Sequence, residues 1–364
     1  MVRYDPEQLY MLSKPVDDEY SEVEELLFAL LLAELLSDGD VSVDEWVLIK
    51  RNNKQKFTDK VQTIINRTTK RVATKANKVL NAVEVETNKQ VGLDIKSIGG
   101  VVSNQTITSN DDELLERLKR AITTVNGSML WQMQEEYLNQ VDKVYKELAN
   151  TEMTLEKAVR KSMKPVAKDG IVGYYDNANK RWKVDVYMRT VMRNTIKMKH
   201  NQQRLDYMLA NDIELVVVSE HAGSRPSHYA YQNKVYSLKR GHTKYPYIGE
   251  TGVGEPAGLL GVNCRHFLMP YMEDMRLDQN QYTAEENEQM YEYLQQQRDY
   301  ERRIREAKRM MELYDKTGDK VVGSKYRKRS RQLGKELQAT IDKANSEYDS
   351  YLRRQRDRER NIVK

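Results

Sequence analysis

The stretch that decides the fold runs from residue 215 to residue 237 and reads LVVVSEHAGSRPSHYAYQNKVYS. Its first four residues form a continuous apolar run between polar neighbours, which predicts a buried strand. Just upstream, Trp182, Val184 and Val186 alternate with charged residues after the turn-rich segment 176–179, a pattern that predicts a β-hairpin. With only 7 Pro and 17 Gly in 364 residues, most of the remaining chain is expected to be helical.

We therefore expect an α+β protein that is predominantly α-helical, with elongated N- and C-terminal helical arms around a small central α+β domain. The predicted divisions are a helical N-terminal arm (1–100, acidic and then basic), a helical segment (101–164), the α+β core (165–275) and a basic C-terminal helical hairpin or coiled coil (276–364).

Local signals place several helix ends. Ser42 and Glu45 have the spacing of a capping box, which predicts a helix start. A short helix is expected to begin at Thr154 and to end before Pro165. Near the C-terminus, Gly318 and Gly323 are expected to interrupt the helical pattern, and another helix is predicted from about residue 324.

The composition excludes several classes of protein. A single Cys excludes an intramolecular disulfide framework and a Cys-rich zinc module. The most apolar run, residues 26–33, is far shorter than the ~20 residues of a membrane-spanning helix, so no membrane partner is expected. The hydrophobic fraction of 39% and the mean hydropathy of −0.80 favour long exposed helices over one large core.

Charge is segregated along the chain. Residues 1–49 hold 2 Lys or Arg and 13 Asp or Glu, residues 50–100 hold 12 and 4, and residues 298–364 hold 21 and 12. The net charges are thus −11, +8 and +9. Each block can be a solvated helix face, but the basic blocks also suit nucleic acid or an acidic protein surface.

All five His and the only Cys fall between residues 200 and 266. Three interpretations of this cluster compete. It could be a metal site, because imidazole and thiolate are zinc ligands; the candidates are His221, His228, Cys264 and His266. It could be a nucleophilic site in which Cys264 is activated by His221 or His228 and oriented by Asn263 or Gln232.

The third interpretation is a network of satisfied polar groups that fixes a glycine-rich loop, and it is the one the sequence favours. In this network planar donors hold backbone carbonyl groups or carboxylates. Its predicted members are His221, Arg225, His228, Gln232, Asn263, Cys264, Arg265 and His266, with no metal, cofactor or catalytic residue expected.

The same window resembles the phage minor capsid protein 2 family, which is related to the Mu F-like head morphogenesis proteins. The resemblance rests on residues 219–228, on 231–237 apart from Asn233, and on the segment GLLGVNCRH at 258–266 with Pro270 after it. It covers about residues 160–315, whereas residues 1–110 show no defensible resemblance.

The resemblance implies a structural component of the virion of a tailed phage, present in the host cytoplasm during assembly. Its implied partners are the portal protein, the capsid interior and double-stranded DNA bound without sequence preference. The candidate DNA-binding residues are Arg327, Lys328, Arg329, Arg331, Arg353 and Arg354. Two alternatives remain, namely an enzyme or toxin-like effector and a zinc-stabilised binding module.

Overall fold

The computed structural model describes residues 6–102, 112–170, 172–175, 181–273, 275–277, 279–348 and 352. Helices account for 71% of the described structure, which confirms the predominantly helical α+β class. The helices are α1 Pro6–Leu36, α2 Val43–Asn52, α3 Lys54–Ser97, α4 Asp112–Asn150, α5 Leu155–Asp169, α6 Val184–Leu209, α7 Pro226–Tyr229, α8 Ala284–Lys316 and α9 Lys320–Glu347. The strands are β1 Val172–Tyr175, β2 Arg181–Lys183, β3 Leu215–Val218, β4 Val235–Ser237 and β5 Leu268–Tyr271.

The chain forms two compact units, each assembled from separate segments. Unit 1 contains residues 1–16, 74–119 and 189–295, and unit 2 contains residues 17–73, 120–188 and 296–364. The sequence-based divisions at 100, 164 and 275 stay a prediction.

Unit 1 is built on a three-stranded antiparallel sheet with the order β4-β3-β5. All four residues of β3 are buried, as the apolar run predicts. Val216 and Val218 pack with apolar residues of α3 and α6, including Val91 and Met208, on one side of the strand. The alternate residues Leu215 and Val217 belong to a smaller cluster. A continuous apolar run is needed here because the strand is covered on both faces.

Unit 2 has a helical core, and its described sheet is the antiparallel pair β1–β2 of the predicted hairpin. The second strand is shorter than its alternating pattern predicts, because Val184 and Val186 lie in the first turn of α6. The rings of Phe57 and Tyr137 stack with their centroids 4.3 Å apart, and the Tyr137 hydroxyl donates to the Lys50 carbonyl oxygen at 2.7 Å. The capping prediction is confirmed, since Ser42 accepts a hydrogen bond from the Glu45 backbone N–H. The predicted turn 176–179 lies outside the described residues.

Two predicted helix boundaries are wrong. α5 continues through Pro165 to Asp169, and its buried face includes Met163 and Val166. Burial of that face outweighs the lost backbone hydrogen bond of an interior proline, a cost of about 3 kcal/mol. Gly323 does not interrupt the helix but lies in the first turn of α9, where an added Cβ would come within 2.1 Å of an Asp315 oxygen. Only glycine leaves room for the Asp315 side chain at this position.

Gly318 does lie at the predicted break between α8 and α9, with a φ of 82°. Within the described part of the chain, no helix is long and apolar enough to span a lipid bilayer.

Candidate functional site

The site begins where β3 ends. Ser219 follows the strand, and its backbone N–H donates to the Phe267 carbonyl oxygen at 2.9 Å. Its hydroxyl accepts from the Phe267 N–H at 3.0 Å. These two bonds continue the pairing of β3 with β5 by one residue. They bring the loop that carries His221 alongside the segment that carries Cys264 and His266.

Gln232 connects the two histidines of these segments. Its Oε1 accepts from the His221 backbone N–H at 3.0 Å and lies 3.1 Å from His266 Nε2. Because a backbone N–H can only donate, this contact identifies the amide oxygen. The oxygen in turn requires a proton on His266 Nε2. The Nδ1 atom of a neutral His266 therefore carries an unprotonated lone pair.

His228 is held in the same way by a carbonyl group. It lies on α7, which starts with Pro226 in its first turn, and its Nε2 is 2.9 Å from the Ala257 carbonyl oxygen. A carbonyl only accepts, so Nε2 carries the proton in the neutral ring. The side chain is 2% exposed, and its buried Nδ1 atom has no hydrogen-bond partner of acceptable geometry.

Cys264 lies between these two imidazoles. Its Sγ is 3.3 Å from His266 Nδ1. One ligand atom each from His228, Cys264 and His266 lies within 4.8 Å of the others, and all three residues are buried. We call these three residues the His–Cys cluster. Their residue types and spacing are those of a transition-metal site.

Burial and neighbouring charges shift the pKa values of the cluster. Burial raises the pKa of the Cys264 thiol, but interaction with His228 and the charge of Lys197 outweigh it and bring that pKa down to about 7. Burial holds the pKa of His266 well below its usual range. It also lowers the pKa of Lys197 to about 8. A substantial fraction of Cys264 is therefore ionised to the thiolate at neutral pH, whereas His266 remains neutral.

His221 borders the cluster. Its ring centroid lies 4.4 Å from that of His266. Its Nδ1 is 3.2 Å from the Ala222 carbonyl oxygen, so Nδ1 carries the proton and Nε2 the lone pair. Burial, with a contribution from the charge of Arg265, lowers the pKa of His221 to about 3.

The other predicted site residues flank the cluster, and two of them take part in described backbone hydrogen bonds. Arg225 Nη2 donates to the Val262 carbonyl oxygen at 3.0 Å. The Asn263 backbone N–H donates to Asn194 Oδ1 at 3.0 Å, and Asn263 has a φ of 57°. The Arg265 side chain is exposed. The structure thus brings together His221, His228, Gln232, Cys264 and His266, while Arg225, Asn263 and Arg265 lie around them.

Sequence reasoning missed a buried polar layer between α3 and α6 in unit 1. Arg204 is fully buried, pairs with Asp94 at 2.7 Å and donates from Nε to the Leu268 carbonyl oxygen at 2.7 Å. Gln203 donates to Asn88 Oδ1 at 2.7 Å. The sequence does contain an indication of this layer. His200 and Arg204 follow Ile196 at intervals of four residues, so they lie on the same buried face of α6 as Ile196.

The predicted DNA-binding residues lie on α9 where they are described. Arg327 pairs with Asp315 at 2.9 Å, and Arg329 reaches Glu336 at 4.0 Å. Lys328 and Arg331 are exposed. Arg353 and Arg354 lie outside the described residues.

Comparison with known proteins identifies the class. The protein family described as Phage minor capsid protein 2 matches residues 4–342. The chain belongs to this family. The expectation that residues 1–110 lack any resemblance is therefore wrong, because the match starts at residue 4 and runs through them.

Two curated relatives carry the name "Structural protein". One, from Lactococcus phage LL-H, is 26% identical over 312 residues, covering 84% of this chain and 76% of the relative. The other, from Lactococcus phage mv4, is 38% identical over 122 residues, covering 33% of this chain and 95% of the relative. No solved structure matches the chain.

Proposed function

We propose that this chain is a non-catalytic structural protein of the phage head that associates with the portal and the capsid interior and contacts packaged DNA through α9. The family match over residues 4–342 is the observation that carries the structural role. The names of the two phage relatives support the same role.

The burial of the His–Cys cluster supports the absence of catalysis. His228, Cys264 and His266 are 2%, 6% and 1% exposed, respectively. A nucleophilic thiol has to meet its substrate, and reactive cysteines are at least partly exposed. We infer that the cluster stabilises the fold of unit 1, and that exposed residues make the contacts with other components of the phage head.

The DNA contact is supported by the charge pattern of α9. Between Lys320 and Lys335 the helix contains no acidic residue. Lys328, Arg331 and Lys335 are spaced by three and four residues, so they lie on one face, and all three are exposed. Among the described residues none of these three forms an ion pair, in contrast to Arg327. Their charges are available for phosphate groups.

A groove between α8 and α9 extends this basic face. It is lined by two of the same cations and by Lys308, with no acidic side chain; the other lining residues are Ile304, Ser330, Gly334 and Gln338. Contacts of this kind bind the DNA backbone, depend strongly on salt and do not read sequence.

The location is tested on purified phage particles. Heads separated from tails and analysed by quantitative mass spectrometry are expected to contain this chain. Co-expression with the portal protein of the same phage is expected to yield a complex that survives gel filtration. Absence of the chain from washed, DNA-filled heads would overturn the structural role, whereas failure of the portal complex alone would remove the portal contact.

The DNA contact is tested with the full chain and a duplex of arbitrary sequence. The triple variant Lys328→Gln, Arg331→Gln, Lys335→Gln removes three cations from one helix face. Each lost phosphate contact lowers the slope of log K against log salt concentration by ~0.9, so a decrease of about 2.7 is expected. Binding that remains unchanged in this variant would refute the assignment to α9.

A matched control removes the same charge elsewhere. Lys78, Lys89 and Lys96 are exposed residues of α3. Replacing all three with Gln changes the net charge equally and is expected to leave most of the salt slope intact. An equal loss in both triple variants would show that the overall charge, not the α9 face, governs binding.

A further inference from the structure

We propose that the His–Cys cluster binds one zinc ion, with His228 Nδ1, Cys264 Sγ and His266 Nδ1 as protein ligands. The inference concerns unit 1 alone and goes beyond the structural role proposed above.

The cluster has fewer protons than it has lone pairs to satisfy. Both imidazole Nε2 protons are already directed at oxygen acceptors, namely the Ala257 carbonyl and Gln232 Oε1. Two Nδ1 lone pairs therefore face one sulfur atom. A thiol has a single proton and can satisfy only one of them. The other would remain a buried, unsatisfied acceptor, and His228 Nδ1 has no hydrogen-bond partner of acceptable geometry.

A proton transfer within the cluster does not remove the problem. If His228 takes the thiol proton and donates it to the thiolate, His266 Nδ1 still points a lone pair at a negatively charged sulfur 3.3 Å away. A cation at the centre satisfies the thiolate and both lone pairs at once. This is the arrangement that metal-binding histidines adopt, with the second ring nitrogen held by an oxygen acceptor.

The geometry requires only small side-chain movements. Zinc bonds of about 2.3 Å to sulfur and ~2.0 Å to nitrogen place neighbouring tetrahedral ligands roughly 3.3–3.8 Å apart. Cys264 Sγ and His266 Nδ1 are already 3.3 Å apart, and no pair among the three ligand atoms exceeds 4.8 Å. A side-chain shift of about 1 Å closes the largest remaining difference.

The mixture of one thiolate with two imidazoles favours zinc among the divalent ions. Carboxylate and carbonyl oxygens would be needed for magnesium or calcium, whereas sulfur and imidazole suit zinc. His221 lies beside these three ligands, with its Nε2 lone pair free of the Ala222 contact and its ring against that of His266, so a side-chain movement would bring it to the fourth position.

Such an ion would connect three parts of unit 1 that are distant in sequence. His228 belongs to α7, Cys264 ends the glycine-rich loop that starts at residue 252, and His266 leads into β5. Turn hydrogen bonds hold the loop locally, for example from the Gly254 N–H to the Leu259 carbonyl oxygen and from the Cys264 N–H to the Gly261 carbonyl oxygen. A shared ion would in addition tie the loop to α7 and to the segment before β5.

The test uses the full-length chain stripped of metal with a chelator and then titrated with Co²⁺ and Zn²⁺. Cobalt is expected to produce a thiolate-to-metal charge-transfer band and the visible bands of a tetrahedral site, saturating at about one ion per chain. Zinc is expected to displace it and to raise the thermal unfolding midpoint of the apoprotein.

The variants Cys264→Ser, His228→Gln and His266→Gln are each expected to lose the cobalt spectrum and the zinc-dependent shift. His242→Gln is the matched control, because His242 lies in unit 1 outside the cluster and accepts hydrogen bonds from the Lys244 and Tyr245 backbone N–H groups. It is expected to behave like the wild-type chain.

The titration of the wild-type protein decides the question even where a ligand variant fails to fold. A folded apoprotein that shows no charge-transfer band and no zinc-dependent shift would overturn the proposal. Equal metal binding by Cys264→Ser and the wild-type chain would overturn it as well, because the metal would then bind elsewhere.

Discussion

The buried ion pair between Arg204 and Asp94 provides the sharpest test of how unit 1 is held together. Arg204 Nη2 lies 2.7 Å from Asp94 Oδ2, and the two side chains are 1% and 12% exposed. The same guanidinium lies over the Phe267 ring at 5.1 Å and donates to the Leu268 carbonyl oxygen. One side chain of α6 therefore joins α3 to the segment leading into β5.

The change Arg204→Met retains most of the apolar stem and removes every one of these polar contacts. It leaves a nearly buried carboxylate without its partner, which typically costs about 3–5 kcal/mol. A domain of this kind has a free energy of unfolding of about 5–15 kcal/mol, so the loss is a large part of the total. Removing the carboxylate too, in Arg204→Met with Asp94→Leu, is expected to restore much of the loss.

Native-state hydrogen exchange of the β3 amides is the appropriate assay. The three Trp residues are Trp46, Trp131 and Trp182, and all of them lie in unit 2, so tryptophan fluorescence does not report on unit 1 directly. The control is Arg240→Ala, which removes an exposed arginine that also lies over a tyrosine ring, at 4.6 Å. Its expected cost is below about 1 kcal/mol. Unchanged protection of β3 in Arg204→Met would refute the reasoning, as would a double variant less stable than the single one.

Two further changes test the loop and the buried histidine of α6. Gly223→Ala is expected to destabilise unit 1 by about 1–3 kcal/mol, because its φ is 62° and the new Cβ would lie 2.7 Å from a Leu294 methyl group. Gly241→Ala is the control, because Gly241 has a φ of 82° and open space around it, so this variant shows only the cost of the backbone conformation. An equal loss of stability in the two variants would show that the contact with Leu294 contributes nothing. Burial keeps the pKa of His200 well below its usual 6.5, so the unfolded chain binds its proton first and stability falls as pH drops below about 6.5. His200→Phe is expected to reduce the loss of unfolding free energy by ~1.4 kcal/mol per pH unit. The measurement is urea unfolding at several pH values, followed by hydrogen exchange. An unchanged pH dependence would show that His200 does not cause the loss of stability.

The sequence was most informative where a pattern has one physical meaning. The run Leu215–Val218 could be interpreted as a strand covered on both faces, and the Ser42 capping box has a direct geometric signature. The predicted helix end before Pro165 is wrong because the local propensity of proline does not include the tertiary burial of Met163 and Val166.

The contacts of Arg204 could be predicted only in part. The four-residue spacing from Ile196 through His200 places it on a buried helix face. The identity of its partner could not be derived, because Asp94 lies 110 residues earlier in the chain. Such pairings depend on how α3 packs against α6. No sequence pattern within either helix indicates which residue of the other helix it contacts.

The Cys-x-His spacing of the His–Cys cluster has a local physical meaning. In an extended segment, residues two positions apart point to the same side. The burial pattern agrees with this, since Cys264 and His266 are buried while Arg265 is exposed. The spacing therefore directs the Cys264 thiol and the His266 imidazole into the interior of unit 1. His228 lies close to them because α7 orients its ring toward the same part of that interior.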